Sequence, residues 1–342
     1  MSILPSGNFT GLVDNGGPIP LRGQFAADGS YHRTFQYGAK AVVIDLAGGA
    51  DSLTGTISIA GTSYAAAVDR LTFSAVENPA PAAQYTLFFP APTAPSPAPA
   101  GFPQGYGRAA VHIAPSGRTL VVGRLGDTTG LGRSTVISSA GFLSKNRQFS
   151  LYTALYGSRA YYHGVRGQVA GVLTFTPVPA AGTSDVTGTL AWAKPAEDFP
   201  FIHNAAFDVD LKPTGSIYHP PAAGTRLLAG LDARGDLEAD LKAGLLSGTL
   251  SRNLRLLPNN TVIAFSVGYF DNFRFAVDPR NGVFTGTFLH TSFFPNYLPY
   301  SGVFLQKQGF GRGTFPGSSV NSSGSPLFAG GKVEVFNSAP AQ

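Results

Sequence analysis

The stretch Phe275-Ala276-Val277-Asp278-Pro279-Arg280-Asn281-Gly282-Val283-Phe284-Thr285-Gly286-Thr287-Phe288 decides the fold class. Its two halves have the apolar patterning of strands, and the Asp-Pro-Arg-Asn-Gly between them supplies what a tight turn demands. The second half also sets Gly286 in the frame apolar-x-Gly-x-apolar. That frame is centred on nine glycines: Gly23, Gly55, Gly123, Gly171, Gly188, Gly248, Gly286, Gly302 and Gly313, the last with Gly311 in the first place. Glycine weakens a strand interior, so its recurrence points to bends, bulges or the close approach of a backbone or an aromatic ring. A sheet that coils and closes uses such bends repeatedly.

Three more segments share the strand–turn–strand plan: Gln24 to Tyr31 around Asp28-Gly29, His112 to Thr119 around Pro115-Ser116-Gly117, and Leu231 to Leu237 around Asp232-Ala233-Arg234-Gly235. Their irregular spacing disfavours a solenoid and fits a meander of duplicated hairpins. The pattern predicts an all-β protein, an antiparallel meander of about twenty strands closing into one or two β-barrels or sandwiches. Asp236 to Leu246 contains good helix formers, yet completes a hairpin and is read as strand.

Composition agrees. Gly 43 and Pro 26 in 342 residues are above average, whereas charged residues, at 13%, are about half the usual share. Forty aromatics, counting 26 Phe, 13 Tyr and 1 Trp, suffice to fill a core. The net charge of +5 reflects a shortage of acids as much as an excess of bases, and the bases are scattered singly, so nucleic acid is not an expected partner. The absence of cysteine excludes disulfides, thiolate metal sites and a Cys nucleophile. No apolar run is long enough for a spanning helix. The N-terminus has no basic segment followed by an apolar stretch and enters strand pattern almost at once, as an excised domain with an added Met would.

Two segments interrupt the pattern. Residues 90–107, with Pro at 90, 92, 95, 97, 99 and 103, read as an extended polyproline-like loop whose ends rejoin one sheet. Residues 193–204 break the run near the middle. The expected division is therefore an N-terminal β half, 1–195, a C-terminal β half, 196–336, and a disordered tail, 337–342.

A resemblance enters through six pieces of sequence: Asn78-Pro79-Ala80-Pro81 leading to Tyr85-Thr86-Leu87; Gly105-Tyr106-Gly107; Gly123-Arg124-Leu125-Gly126-Asp127-Thr128; Gly188 to Pro195; Gly215-Ser216-Ile217-Tyr218; and Gly302 to Gln308. As a set they resemble a β-rich module of large secreted bacterial proteins, often found beside immunoglobulin-like repeats. The resemblance covers nearly the whole chain. It implies a secreted or cell-surface β-protein and carries over no activity, ligand or site residue.

Catalytic signatures are missing: no Gly-x-Ser-x-Gly elbow, no His-Glu-x-x-His, no Walker loop and no dinucleotide fingerprint occurs. No catalytic residue, cofactor or metal site is assigned. The six histidines lack short ligand spacing, and only a site assembled across strands would hold a metal. His112 and His290 read as packed or surface strand positions and Trp192 as core. The neighbours Glu197-Asp198 read as a solvated loop. Tyr161-Tyr162-His163 and Tyr218-His219 sit at loop edges, where flat amphipathic rings suit a sugar or a peptide, although covering a barrel end is the blander role. The expected function is a non-catalytic module binding glycan or protein. The alternatives are a hydrolase acting on polysaccharide or ester, its site gathered around His163 or His203, and an outer-membrane barrel, against which the short strands argue.

Overall fold

A computed structural model describes residues 2–3, 6–14, 18–96, 99, 101–128, 133–157, 167–199, 202–265, 272–290, 296–320 and 326–338. The described residues contain twenty-six strands and no helix, and every strand pair is antiparallel. The chain divides into two units, residues 1–73 with 144–146, and residues 74–143 with 147–342.

The first unit has two sheets. One orders β1 (Ser2–Ile3), β2 (Asn8–Asp14) and β3 (Pro18–Gln24). The other orders β4 (Ser30–Tyr37), β5 (Lys40–Gly48), β6 (Ser52–Ile59) and β7 (Thr62–Asp69). Phe9, Ile19 and Leu21 pack with Val42, Ile44, Leu46, Leu53 and Ile59 in one core. The turn at Asp28-Gly29 is present, with Gly29 at φ 80°, but β3 and β4 enter different sheets, so this predicted hairpin is a crossover.

The second unit begins with a five-stranded sheet in the order β11 (Val136–Phe142), β10 (Arg118–Arg124), β9 (Gly107–Ile113), β8 (Ala83–Phe89), β18 (Thr214–Tyr218). Four further strands form the sheet β12 (Gln148–Leu155), β13 (Gly167–Phe175), β14 (Val186–Lys194), β17 (Phe207–Leu211). These sheets adjoin where β11 meets β12 and where β14 meets β18. Tyr85 and Phe175 touch between them, with ring centroids 5.0 Å apart. A short ribbon pairs β15 (Glu197–Phe199) with β16 (Ile202–Asn204).

The remaining eight strands make a nearly closed barrel. They are β19 (Asp236–Ala243), β20 (Leu250–Leu256), β21 (Val262–Ala264), β22 (Arg274–Asp278), β23 (Val283–His290), β24 (Asn296–Leu305), β25 (Phe310–Val320) and β26 (Pro326–Asn337). Their order is 21-20-19-26-25-24-23-22, and the two edge strands approach each other. Phe275, Phe284, Phe288, Tyr300, Phe304 and Phe315 fill the interior with Leu237, Leu241 and Val333.

Eight of the nine framed glycines lie in strands, and each is crowded. A Cβ on Gly302 would fall 2.0 Å from the Phe284 ring, and one on Gly188, at φ 140°, would fall 2.1 Å from the carbonyl of Val172. Gly248 is the exception, because the chain turns at Ala243, Gly244 and Leu245, all at positive φ, and leaves the strand before reaching it. β19 itself ends at Ala243, a strand as expected.

Three further sequence expectations need correction. The stretch around 195 is no boundary, since β14 pairs β17 across it and β8 pairs β18. Leu231 to Leu237 is a loop leading into β19, held by Asp232 Oδ1, which accepts from the N–H groups of Gly235 and Asp236. Asn337, assigned to the tail, is the last residue of β26 and pairs with Leu237, whereas residues 339–342 lie outside the described residues. The proline-rich loop does rejoin one sheet, because β8 and β9 pair.

Candidate binding surfaces

Of the five residues singled out for binding, Tyr161, Tyr162 and His163 lie outside the described residues. Tyr218 is 2% exposed, and its hydroxyl donates to the carbonyl of Pro279 at 2.6 Å while its ring covers Gly282. It therefore plugs the β22–β23 turn and offers no platform. Burial, with Asp278 nearby, pushes its pKa up to about 12.

His219, beside it, is exposed. Its backbone is clamped by Gln306: the His219 N–H donates to Oε1, and Nε2 donates to the His219 carbonyl, each at 2.8 Å. It borders a groove of about 400 Å³ with Pro177, Val178, Pro179, Ile217 and Lys307. Lys307 Nζ donates to the Asp185 carboxylate at 2.6 Å and to the carbonyl of Val178. Burial works against the Asp185 carboxylate, but bonds from Lys307 and from the N–H groups of Val178 and Ile217 outweigh it and hold its pKa below the usual value. The groove thus lies where the β24–β25 turn of the barrel meets the β13–β14 loop and β18, a junction of the kind that commonly hosts ligands.

A second surface was not legible as a site. Along β10 the residues alternate outward and inward, so Leu120 and Val122 face out while Val121 is buried. On β11 Val136 and Phe142 also face out, and all four side chains are 43–53% exposed. The register sets Phe142 beside Arg118 and Val136 beside Arg124, and places Leu120 beside exposed His112 of β9. The result is an apolar centre flanked by two arginines. The sequence pattern marked these strands, but which face of a strand is covered depends on the partner sheet, so the exposed face could not be read in advance.

The other histidines divide as expected for strand positions. His290 is buried, with Nε2 3.1 Å from the carbonyl of Gly244, and burial lowers its pKa. His32 pairs with Asp45 across β4 and β5 on an exposed face. The side chain of His203 lies outside the described residues. Among the described residues no three metal-ligating side chains cluster, and no helix is long and apolar enough to cross a membrane.

No family model matches the sequence, and no curated protein matches it. Among solved structures the chain is similar to a tryptophan-to-alanine mutant of the vaccine antigen Transferrin Binding Protein B from Haemophilus parasuis Hp5, at 9% identity and a TM-score of 0.23. The match covers 97% of this chain and 66% of that one, just under two thirds of its length. A TM-score of 0.23 is too low to assign a shared fold.

Proposed function

We propose that the chain is a non-catalytic binding module of a secreted or cell-surface bacterial protein and that its ligand is a protein. The observation that carries this reading is the outward face of β10 and β11. Leu120, Val122, Val136 and Phe142 remain in water there between Arg118 and Arg124. Exposed apolar patches with a polar rim mark interaction sites, and aromatic residues and arginine are enriched in protein interfaces. A rigid sheet presents such a face at little entropic cost on binding. The His219 groove favours a glycan as the second reading, since it sets flat apolar walls, Pro177 and Pro179, beside polar groups.

The test is a panel of extracellular proteins probed beside a glycan array and a hydrolase substrate panel. A protein ligand whose binding is lost in Leu120→Asp and Phe142→Ser, at unchanged melting temperature, supports the proposal. Binding confined to glycans and lost in His219→Ala moves the function to the groove. Hydrolysis abolished by His219→Ala overturns the non-catalytic reading.

A further inference from the structure

The interior of the second unit contains a charged cluster that binding does not require. Lys194 ends β14 with its side chain 0% exposed, and Asp127, after β10, is equally buried. Glu197, read from the sequence as part of a solvated loop, is 1% exposed because the β15–β16 ribbon folds it inward. Lys194 Nζ stands 3.9 Å from Asp127 Oδ2 and 3.4 Å from Glu197 Oε2, yet makes no hydrogen bond of its own. The Tyr156 ring lies 5.4 Å from it.

The two carboxylates are held differently. Asp127 accepts from the hydroxyls of Thr135 and Tyr156, each at 2.8 Å, and from the Thr135 N–H at 3.3 Å. Trp192 Nε1 donates to the Tyr156 hydroxyl at 2.9 Å and so aims that hydroxyl at Asp127. Glu197 accepts from Asn204 Nδ2 at 2.8 Å. Three donors on one carboxyl withdraw charge from its carbon and would hold the charge of a tetrahedral adduct, as an oxyanion hole does. Asp127 is therefore built as an electrophile. Glu197, in reach of Nζ, is placed to move a proton.

We propose that Lys194 and Asp127 are joined by an amide bond that the folded chain forms by itself, with Glu197 as the proton carrier. The ammonium of Lys194 passes one proton to Glu197, and Nζ adds to Cγ of Asp127. Its flexible stem needs only a small shift to reach the roughly 3–3.5 Å from which addition starts. Glu197 returns the proton to the departing oxygen, which takes a second from the nitrogen and leaves as water. The Nζ–Cγ bond forms, one Cγ–O bond breaks, and Glu197 ends as the carboxylate it began as. The balance is ammonium plus carboxylate giving amide plus water, with no oxidant or second reactant. Burial favours this direction, since two desolvated charges are replaced by a neutral amide and the product water leaves a dry site.

The deciding experiment is the intact mass of the purified full chain, followed by peptide mapping. The expected mass is that of the sequence less one water, with a branched peptide joining the segments around Asp127 and Lys194. Glu197→Gln should restore most of the chain to full mass. Lys194→Arg should restore all of it, and circular dichroism of each variant would show that the fold survives. A wild-type chain of full sequence mass overturns the proposal, whatever the variants do. Loss of one ammonia instead, with a branch to Asn204, overturns the assignment to Asp127.

Discussion

Gly286 and Tyr300 face each other across β23 and β24, and the tyrosine ring occupies the space a side chain at 286 would need, with Cζ 2.3 Å from a Cβ built there. Phe284 with Gly302, Phe315 with Gly331 and Phe89 with Gly107 repeat the arrangement at directly paired positions. Each ring gains apolar cover by lying on a bare backbone. Gly286→Val should therefore destabilise the chain by about 3 kcal/mol, through overpacking of the ring and the Arg274 carbonyl beneath it. Urea denaturation measures this, and a loss below about 1 kcal/mol would mean that the ring has somewhere else to go.

Tyr218→Phe should cost about 1 kcal/mol, because it removes the buried hydroxyl that donates to Pro279. Ligand binding should remain, since the ring is interior. A variant of unchanged stability that no longer binds would restore Tyr218 to the surface role its sequence position implied.

Alkali should unfold the protein in a defined window. Burial pushes Tyr85, Tyr106 and Tyr218 up to about 12, helped respectively by Asp185, Glu334 and Asp278, and burial also raises Tyr300. The folded state thus keeps protons that the unfolded chain releases from about pH 10. Stability is complete below that value and falls as pH rises from about 10 to 12. Ultraviolet titration should show tyrosinate appearing in step with unfolding, and smooth ionisation of these rings in a fully folded chain would contradict it.

Asp185 gives the opposite dependence. Its carboxyl is held below the usual range, so its contribution is present above about pH 4 and is lost as pH falls through the folded-state value. Asp185→Asn should lose about 2 kcal/mol near neutral pH by weakening the bond to Lys307. The gap between variant and wild type should close as pH falls through the lowered folded-state value of Asp185, below which both carry a neutral side chain. A gap constant across that range would show that the charge is immaterial.

Strand class was legible because Phe284, Gly286 and Phe288 carry it locally, and the His112–Thr119 and Phe275–Phe284 hairpins appear as expected. What failed depends on contacts far along the chain. Tyr218 beside His219 has the pattern of a loop edge, but its fate is set by Pro279, sixty-one residues away. Glu197 has the polar neighbours of a solvated loop, but the fold of the ribbon brings it inward beside Lys194 and Asn204. Leu120 and Val121 are chemically alike, and the position of the opposite sheet decides which of them meets water.

The segment between β8 and β9 looks in sequence like a spacer that could be cut or lengthened freely. Yet Phe102 is buried, the Gly105 N–H donates to the carbonyl of Gly126, and a Cβ at Gly105 would lie within 2.7 Å of both Thr314 and Gly331 in the barrel. It is a wedge driven between two β layers. A protease that favours proline- and alanine-rich tracts would find the part beyond Phe102 shielded, and fragments divided there would each expose a seam. The two layers therefore share a single folding fate, and attempts to isolate either one should return aggregated material.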